Sequence, residues 1–399
     1  MKLGQHDAPL HLTYCLNVHA GETWETCFEN IKTKASEVRR QVAPDVPFGL
    51  GLRVGHAASR TLAQPEALAY FKAFLDANNL YVFTVNGFPY GPFHGTPVKE
   101  RVYAPDWRTP ERLDYTRQLA DILCALLPPG VDGSISTVPG SYKAWITSDA
   151  DVEAMVANLM VVVDHLAMLH AKTGRELHLG LEPEPDCFIE TTAETVAFFT
   201  QTLPRWGYPA LAHRRGCTRA AAAALVQRHL GVCFDTCHLL VQFEDIAASL
   251  AALTAHAVRI SKVQVSAALH ARCDAATRAA LGAFCDPVYL HQVRGQQSDG
   301  SVVPRGDLDQ ALAAPDPGDA TWRVHCHVPL YFEGDASITS TADALTPAFF
   351  DNAIAAGATH FEIETYTFDV LPAPLRALGI TASIAREFQW VTARLPVAT

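Results

Sequence analysis

The sequence predicts an α/β fold in which eight βα units form a (β/α)8 barrel, as a single domain over residues 1–399. Short runs rich in β-branched and aromatic residues alternate with longer segments of helical periodicity, which is typical of a parallel sheet. Hydrophobic residues make up 49% of the chain and charged residues 18%, which is enough for a large core. The chain shows no internal repeat and no linker of domain-boundary composition.

Seven strands are predicted in the first two thirds of the chain and an eighth near its end. The predicted strands are 11–17, 48–53, 80–86, 132–138, 178–183, 231–236, 258–265 and 360–364. Helices are predicted over 22–40, 65–77, 109–127, 150–173, 192–203, 217–229, 245–256, 341–356 and 380–394.

The regular alternation breaks at residues 266–335, which we interpret as an insertion over the barrel mouth, between strands seven and eight. Because a barrel of this kind uses eight strands, two of the ten strand candidates must lie outside it. We favour 258–265 as the seventh strand; the alternative is 322–328, which precedes a clean helix and the last strand. The segment contains, in order, an Ala-rich helix (274–284), an apolar run (288–293), a polar loop (295–307) and a second apolar run (322–328).

The charge balance bears on partners and location. A formal net charge of -11 argues against nucleic acid as the main partner, since phosphate contacts need a basic surface. The first residues lack the apolar run of a signal peptide, and no stretch approaches about 20 uncharged apolar residues. We therefore expect a soluble, cytoplasmic protein without membrane insertion; the oligomeric state is left open.

The ten cysteines show no disulfide framework, and the chain has no CxxC pair. Most of them lie in apolar runs, so we expect reduced thiols in the core. Cys233 and Cys237 flank a candidate site, but their spacing does not predict a zinc-thiolate centre.

Three carboxylates are predicted to meet at the carboxyl-terminal rim of the barrel. Side chains alternate along a strand, and the apolar neighbours of Glu182, Asp235 and Glu364 occupy the helix-facing positions. The three carboxylates therefore face inward at the ends of strands five, six and eight, where barrel enzymes place their active sites.

Carboxylates that converge at a barrel mouth repel one another unless a cation neutralises them. We therefore predict one divalent metal ion, held by Glu182, Asp235 and Glu364 with imidazole ligands. His238 follows Asp235 by three residues, and His327, nearer the strand end, is favoured over His325. Mixed carboxylate and imidazole ligands suit Mn, Co, Zn or Fe better than Ca, and the identity of the ion is left open among these four and Mg.

The rest of the rim is polar and aromatic, which suits a small polyhydroxylated, sugar-like substrate. The loop 86–95, rich in Gly, Pro and aromatic residues, is predicted to grip the substrate. Glu184 is an alternative metal ligand, and His291 on an apolar run is more typical of a core histidine. The predicted substrate-binding residues are Asn17, His19, Arg53, Asn86, His94, Glu184, Gln264 and His291.

The segments Leu181-Glu182-Pro183, Phe234-Asp235-Thr236-Cys237-His238-Leu239 and Ile363-Glu364-Thr365 resemble the xylose isomerase-like barrel superfamily. That resemblance implies that the glutamates of strands five and eight and the aspartate of strand six bind metal. It also implies that His238 touches ligand or metal. The superfamily's strand-seven histidine is absent from Lys262-Val263-Gln264-Val265-Ser266. The fourth ligand is therefore left open among Gln264, His291 and His327.

Nearly the whole chain also resembles the EboE family of metabolite traffic proteins. The resemblance depends above all on Asn86-Gly87-Phe88-Pro89-Tyr90-Gly91-Pro92-Phe93-His94-Gly95, together with Ser134-Ile135-Ser136-Thr137-Val138-Pro139 and Tyr289-Leu290-His291-Gln292. It implies a place beside pathway enzymes, namely a prenyltransferase, a TatD-like hydrolase and a sugar-phosphate cyclase-like protein. It does not supply a reaction.

Three functions are open on these residues. The first is a metal-dependent isomerase or epimerase of a sugar or cyclitol-like polyol. In it Glu182 and Glu364, on opposite sides of the mouth, move a proton between carbons. The second is a metal-dependent phosphoester hydrolase of the endonuclease IV branch. The third is a non-catalytic carrier that binds a metabolite.

Overall fold

Eight parallel strands close into a barrel in the computed structural model, which describes residues 1–3, 9–95, 97–335 and 337–396. Strand β1 pairs with β8, and a parallel bridge between Cys15 and Gly51 joins β1 to β2, so the ring is complete. The predicted α/β barrel is confirmed. The strands β1 to β8 are Leu10–Tyr14, Phe48–Arg53, Leu80–Asn86, Gly133–Thr137, Leu177–Leu181, Leu230–Asp235, Arg259–Val265 and His360–Ile363.

Helices follow most strands and cover the outside of the barrel. Apart from short 3-10 turns, the helical segments up to β6 are Trp24–Asn30, Ile31–Ala35, Ser36–Val42, His56–Leu62, Pro65–Ala77, Pro110–Leu126, Asp149–Thr173, Thr192–Ala197, Phe198–Gly207, Tyr208–Arg215 and Arg219–His229. Those after β6 are Thr236–Val241, Ile246–Ala255, Ala275–Leu281, Leu308–Ala313, Pro347–Ala355, Ala373–Arg376 and Ile380–Thr392.

The longest helix, Asp149–Thr173, has clear signals at both ends. Ser148 and Asp151 form a capping box, and Gly174 ends the helix with a left-handed φ of 72°. Its length and hydropathy alone would let it cross a membrane, but 56% of its most apolar window is buried in the protein. That burial accounts for its apolar composition.

A second, five-stranded antiparallel sheet lies between β7 and β8 in the chain. The seventh strand of the barrel is Arg259–Val265, as favoured from the sequence. The alternative seventh strand, 322–328, is wrong, because its first residues pair in the second sheet. The strand order is Val302–Asp307, Gln292–Gln296, Thr321–Val324, Leu269–Arg272 and Ile338–Ser340.

Two details of this region differ from the prediction. The polar stretch 295–307 is not a loop throughout: it forms much of a hairpin, with Gly300 at a φ of 85° in the turn. The apolar run 322–328 is extended only as far as Val324. His325 still donates its backbone amide to the Gln292 carbonyl of the second sheet at 2.9 Å, whereas His327 bonds to the Glu364 carbonyl and the Thr367 hydroxyl after β8.

A buried ion pair fills the barrel below the mouth. Lys262 on β7 contacts Glu362 on β8, and both side chains are fully buried. Burial alone would lower the pKa of Lys262, but Glu362 raises it above its usual range, so the lysine stays charged. Gly51 lies against this pair, because a Cβ there would overlap Glu362 Oε1 and the Tyr14 carbonyl.

A second polar network occupies the opposite, amino-terminal end of the barrel. Asp132 lies 3.1 Å from His178 Nε2, 3.3 Å from His360 Nε2 and 3.1 Å from Arg259. Burial would raise the pKa of Asp132, but hydrogen bonds to the two histidines hold it well below its usual range. This network closes the lower end of the barrel.

Substitution of Gly51 tests how tightly the barrel interior is packed. We expect Gly51→Ala to destabilise the fold by about 1–3 kcal/mol, because the added methyl group displaces Glu362 from Lys262. Gly282→Ala is the control, since no atom lies within 4 Å of its added Cβ. Urea unfolding followed by circular dichroism measures both, and equal midpoints would contradict the packing described.

Glu387 ties the last helix to the segment after β8. Its buried carboxyl Oε1 accepts hydrogen bonds from the Thr365 hydroxyl at 2.7 Å and the Leu330 amide at 3.2 Å. Burial raises its pKa from 4.5 to about 7, despite these hydrogen bonds. The folded protein therefore keeps a proton that the unfolded chain releases.

Because the folded pKa is the higher one, Glu387 costs stability as pH rises from about 4.5 through 7. We expect Glu387→Gln, which cannot ionise, to gain about 3 kcal/mol relative to wild type between pH 4 and pH 8. Urea unfolding at several pH values measures this difference. The exposed Glu66→Gln serves as control, and a Glu387→Gln curve parallel to wild type would contradict the assignment.

Candidate metal centre

The three carboxylates at the barrel mouth come together. Glu182 directly follows β5, Asp235 ends β6 and Glu364 directly follows β8. All three are buried, and one oxygen from each lies within 4.8 Å of the others. We name these three carboxylates the metal floor. Glu182 and Glu364 are therefore neighbours within it and do not lie on opposite sides of the mouth as expected.

Two asparagines orient Glu364. Asn17, which follows β1, donates through Nδ2 to Glu364 Oε1 at 2.7 Å, and Asn86 at the end of β3 donates to the same oxygen at 3.1 Å. Glu364 Oε1 is thus saturated. Its Oε2 is left facing the His327 ring, 3.9 Å from Nδ1.

Asp235 and Glu182 each keep one free oxygen. Asp235 Oδ1 accepts from the Ser266 hydroxyl at 2.7 Å and the His238 amide at 3.0 Å, so Asp235 also caps helix Thr236–Val241. Asp235 Oδ2 and Glu182 Oε2 are buried without a hydrogen-bond partner in the described part of the chain. Buried, unpartnered carboxylate oxygens are costly, and a bound cation would satisfy them.

The pKa values of two of the carboxyl groups also indicate a cation site. Burial, then Glu364 and Asp235, hold the pKa of Glu182 well above its usual range. Burial, then Asp235 and Glu362, do the same to the pKa of Glu364. Without a cation the floor holds its charge only at a large cost.

Two imidazoles at the mouth are held in a fixed tautomer. His238 Nδ1 lies 3.0 Å from the Pro183 carbonyl, and His327 Nδ1 lies 3.0 Å from the Glu364 carbonyl. A carbonyl oxygen only accepts, so each Nδ1 carries the proton and each Nε2 keeps a lone pair.

His325 is held in the same way. Its Nδ1 lies 2.6 Å from Gln292 Oε1. The amide orientation follows from Gln292 Nε2, which donates to the Pro185 carbonyl at 3.0 Å and to the Tyr103 hydroxyl at 2.9 Å. His325 therefore also keeps its lone pair on Nε2.

The lone pairs of His325 and His327 face each other with the two Nε2 atoms 3.2 Å apart. Burial lowers the pKa of His327 to about 4 and that of His325 well below 6.5, so no proton separates them at neutral pH. Two facing lone pairs are unfavourable unless a cation lies near them. The donor set therefore fits a divalent metal ion.

Ligand atoms within 4.8 Å of one another form four overlapping groups in the described residues. They are Glu182–Asp235–Glu364, Asp235–His238–His327, Glu184–His238–His325 and Cys237–His325–His327. Cys237 is the weakest candidate, because burial raises the pKa of its thiol well above the usual range. His325, which the sequence ranked second to His327, lies in the same cluster; the His-x-His spacing is the signal for both.

Glu184 lies on the wall beside this cluster. Its Oε1 accepts from the Tyr103 hydroxyl at 2.7 Å and lies 3.7 Å from His325 Nδ1. Burial raises the pKa of Glu184 to about 7, against the lowering effect of His238. With Asn17 and Asn86, it is one of three predicted substrate-binding residues that line the cleft above the metal centre.

Arg53 and His94 do not line this cleft. Arg53 donates to the Gly21 and Gly91 carbonyls at 3.0 Å each and pairs with Glu22. His94 Nε2 lies 2.7 Å from the Asn17 carbonyl. Both side chains instead fasten the loop after β3 to the segment after β1.

Three further predicted residues lie apart from the cleft. His19 Nε2 bonds to the Tyr14 hydroxyl at 2.9 Å. Gln264 is fully buried, and its amide has no hydrogen-bond partner within the described ranges. His291 lies between the Phe284 carbonyl and Asp286, at 3.1 Å from each.

No family model matches this chain, and no curated protein does. Solved structures similar to it include the IolI protein with a bound zinc atom, at 9% identity and TM-score 0.47 over 96% of this chain and 97% of that one. A probable 3-DHS dehydratase, AsbF, from Bacillus anthracis gives 12% and 0.47 over 96% and 98%. A xylose isomerase domain protein from Alicyclobacillus acidocaldarius gives 14% and 0.46 over 96% and 98%. At identities and TM-scores this low, the similarity supports no inference about function.

Metal titration tests the centre. We expect the protein to bind Mn²⁺ and Glu182→Gln to weaken that binding at least about tenfold, since a charged ligand oxygen is lost. Isothermal titration calorimetry gives affinity and stoichiometry, and Glu66→Gln on an exposed helix is the matched control. Unchanged Mn²⁺ affinity in Glu182→Gln would remove Glu182 from the ligand set.

Proposed function

We propose that this protein is a metal-dependent isomerase or epimerase of a small hydroxycarbonyl compound of the sugar or cyclitol type. The observation that carries the proposal is the convergence of three buried carboxylates and three imidazole lone pairs at one barrel mouth. We place it in a small-metabolite pathway, as the EboE resemblance implies.

Glu182, Asp235 and Glu364 would hold the ion together with an imidazole of His327 or His238. When bound, a divalent ion supplies Lewis acidity toward adjacent substrate oxygens. The chain's own residues supply the rest. Asn17 and Asn86 fix Glu364 in one rotamer, so its free oxygen keeps a constant position.

Proton transfer falls to the carboxyl groups. Glu182 has one buried oxygen without a partner among the described residues, which would be available to the ion or to a substrate proton. Because Glu182 and Glu364 are neighbours on one floor, the arrangement favours transfer between adjacent carbons on a single face. Burial raises the pKa of Glu184, at the cleft wall, to about 7, so this carboxyl would hold or release a further proton near neutral pH.

A second candidate is the metal-dependent phosphoester hydrolase. The additional group Glu184–His238–His325 favours it, because several metal ions sharing a site are typical of such enzymes. Stoichiometry separates the two: one Mn²⁺ per chain supports the isomerase, and two or three support the hydrolase.

Exchange of substrate C–H hydrogen with solvent deuterium tests the isomerase. We expect Mn²⁺-loaded protein to exchange hydrogen in one member of a ketose and hydroxy-ketone panel, followed by proton NMR. Glu364→Gln should slow exchange at least about a hundredfold, since a proton-transferring group is lost. Glu66→Gln should match wild type.

The same experiment separates an enzyme from a carrier. A carrier would bind a panel member without exchanging its hydrogen, and Glu364→Gln would keep that binding. Absence of exchange across the panel in metal-loaded protein would refute the isomerase.

A further inference from the structure

The cleft above the metal centre has open polar groups mainly at its floor. There, Glu182 Oε2 and Asn17 Oδ1 are buried without a hydrogen-bond partner among the described residues, and His238 presents a lone pair. The wall above them includes Phe93, Val98, Val102 and Leu290, whose side chains cannot hydrogen bond.

Two polar side chains on the wall, Tyr103 and Lys99, are already paired. The Tyr103 hydroxyl donates to Glu184 and accepts from Gln292. Lys99 pairs with Asp307 at 2.5 Å and also donates to the Asp286 carbonyl at 3.1 Å. These groups serve the protein's own contacts.

The polar residues that a polyol would need are engaged elsewhere. Arg53 and His94 fasten the loop after β3, and His291 bonds within the second-sheet region. A substrate hydroxyl buried against Phe93, Val98, Val102 or Leu290 would lack a partner there, which is costly.

Aromatic rings complete the wall. Phe93, Tyr289 and Tyr366, which we name the aromatic cap, have ring centroids 5.1–5.4 Å apart in all three pairs. They come from the loop after β3, the second-sheet region and the segment after β8. The backbone links between Val98 and Val288, at 2.9 Å, hold the first two segments together.

We propose that the substrate presents two or three oxygen atoms to the metal floor and an alkyl or aryl substituent to the aromatic cap. The inference rests on the proposed function, whose metal centre supplies the polar anchor. It narrows the substrate class from a free polyol to a hydroxycarbonyl head with an apolar substituent. Burial of that substituent against Phe93, Val98, Val102 and Leu290 supplies affinity that these side chains cannot give to hydroxyl groups.

Three hydroxamates test the inference, because each offers the same two oxygens to a metal ion. Acetohydroxamate carries a methyl group, octanohydroxamate an alkyl chain and gluconohydroxamate a polyol chain. In calorimetric titrations of Mn²⁺-loaded protein, we expect octanohydroxamate to bind at least about tenfold more tightly than acetohydroxamate. Gluconohydroxamate should bind no more tightly than acetohydroxamate.

Substitutions in the cleft wall test which residues produce the tighter binding of octanohydroxamate. Phe93→Ala, and Val98→Thr as a shape-conserving second variant, should each reduce the octanohydroxamate advantage several-fold while acetohydroxamate affinity stays unchanged. Tyr70→Ala, at a ring 67% exposed on an outer helix, is the control and should match wild type.

The possible outcomes distinguish a failure of the apolar substituent from a failure of the metal centre. Equal binding of all three hydroxamates, or tightest binding of gluconohydroxamate, would overturn the apolar substituent and leave the metal centre standing. Loss of all binding differences between Mn²⁺-loaded and metal-free protein would overturn the metal centre itself, and this inference with it.

Discussion

Repulsion among buried carboxylates is the constraint on which the barrel mouth depends. Glu182, Asp235 and Glu364 lie within a few ångströms of one another and away from water. Neutral hydrogen-bond donors such as Asn17 and the Ser266 hydroxyl stabilise individual carboxylate oxygens. Asp235 Oδ2 and Glu182 Oε2 stay buried without a donor among the described residues. A divalent ion would neutralise what these neutral donors cannot.

The barrel supplies the carboxylates, and the segments between and after its strands supply the imidazoles. His238 is fixed because helix Thr236–Val241 begins directly at Asp235. His325 and His327 follow the strand Thr321–Val324 of the second sheet and reach the mouth from there. Each ring uses a carbonyl or amide oxygen to select its tautomer, so the lone pairs are set before any ligand arrives.

Strand alternation let the sequence predict the barrel and the inward face of Glu182, Asp235 and Glu364, because period-two patterns depend on local geometry. His325 and His327 could not be ranked, since they lie in an irregular segment whose direction depends on distant contacts. Likewise, the side chains of Arg53 and His94 look available in the sequence. Only the three-dimensional arrangement shows that backbone carbonyls occupy them.

The pair Lys262–Glu362 and the network around Asp132 have a consequence for how a small molecule would enter and leave the barrel. Both lie below the metal floor, so within the described residues the cleft at the mouth is where a small molecule would reach that floor. In the proposed isomerase, reactant and product would therefore share that cleft, which the aromatic cap lines. A compound bound against the cap would then compete with the entry of the one and the release of the other.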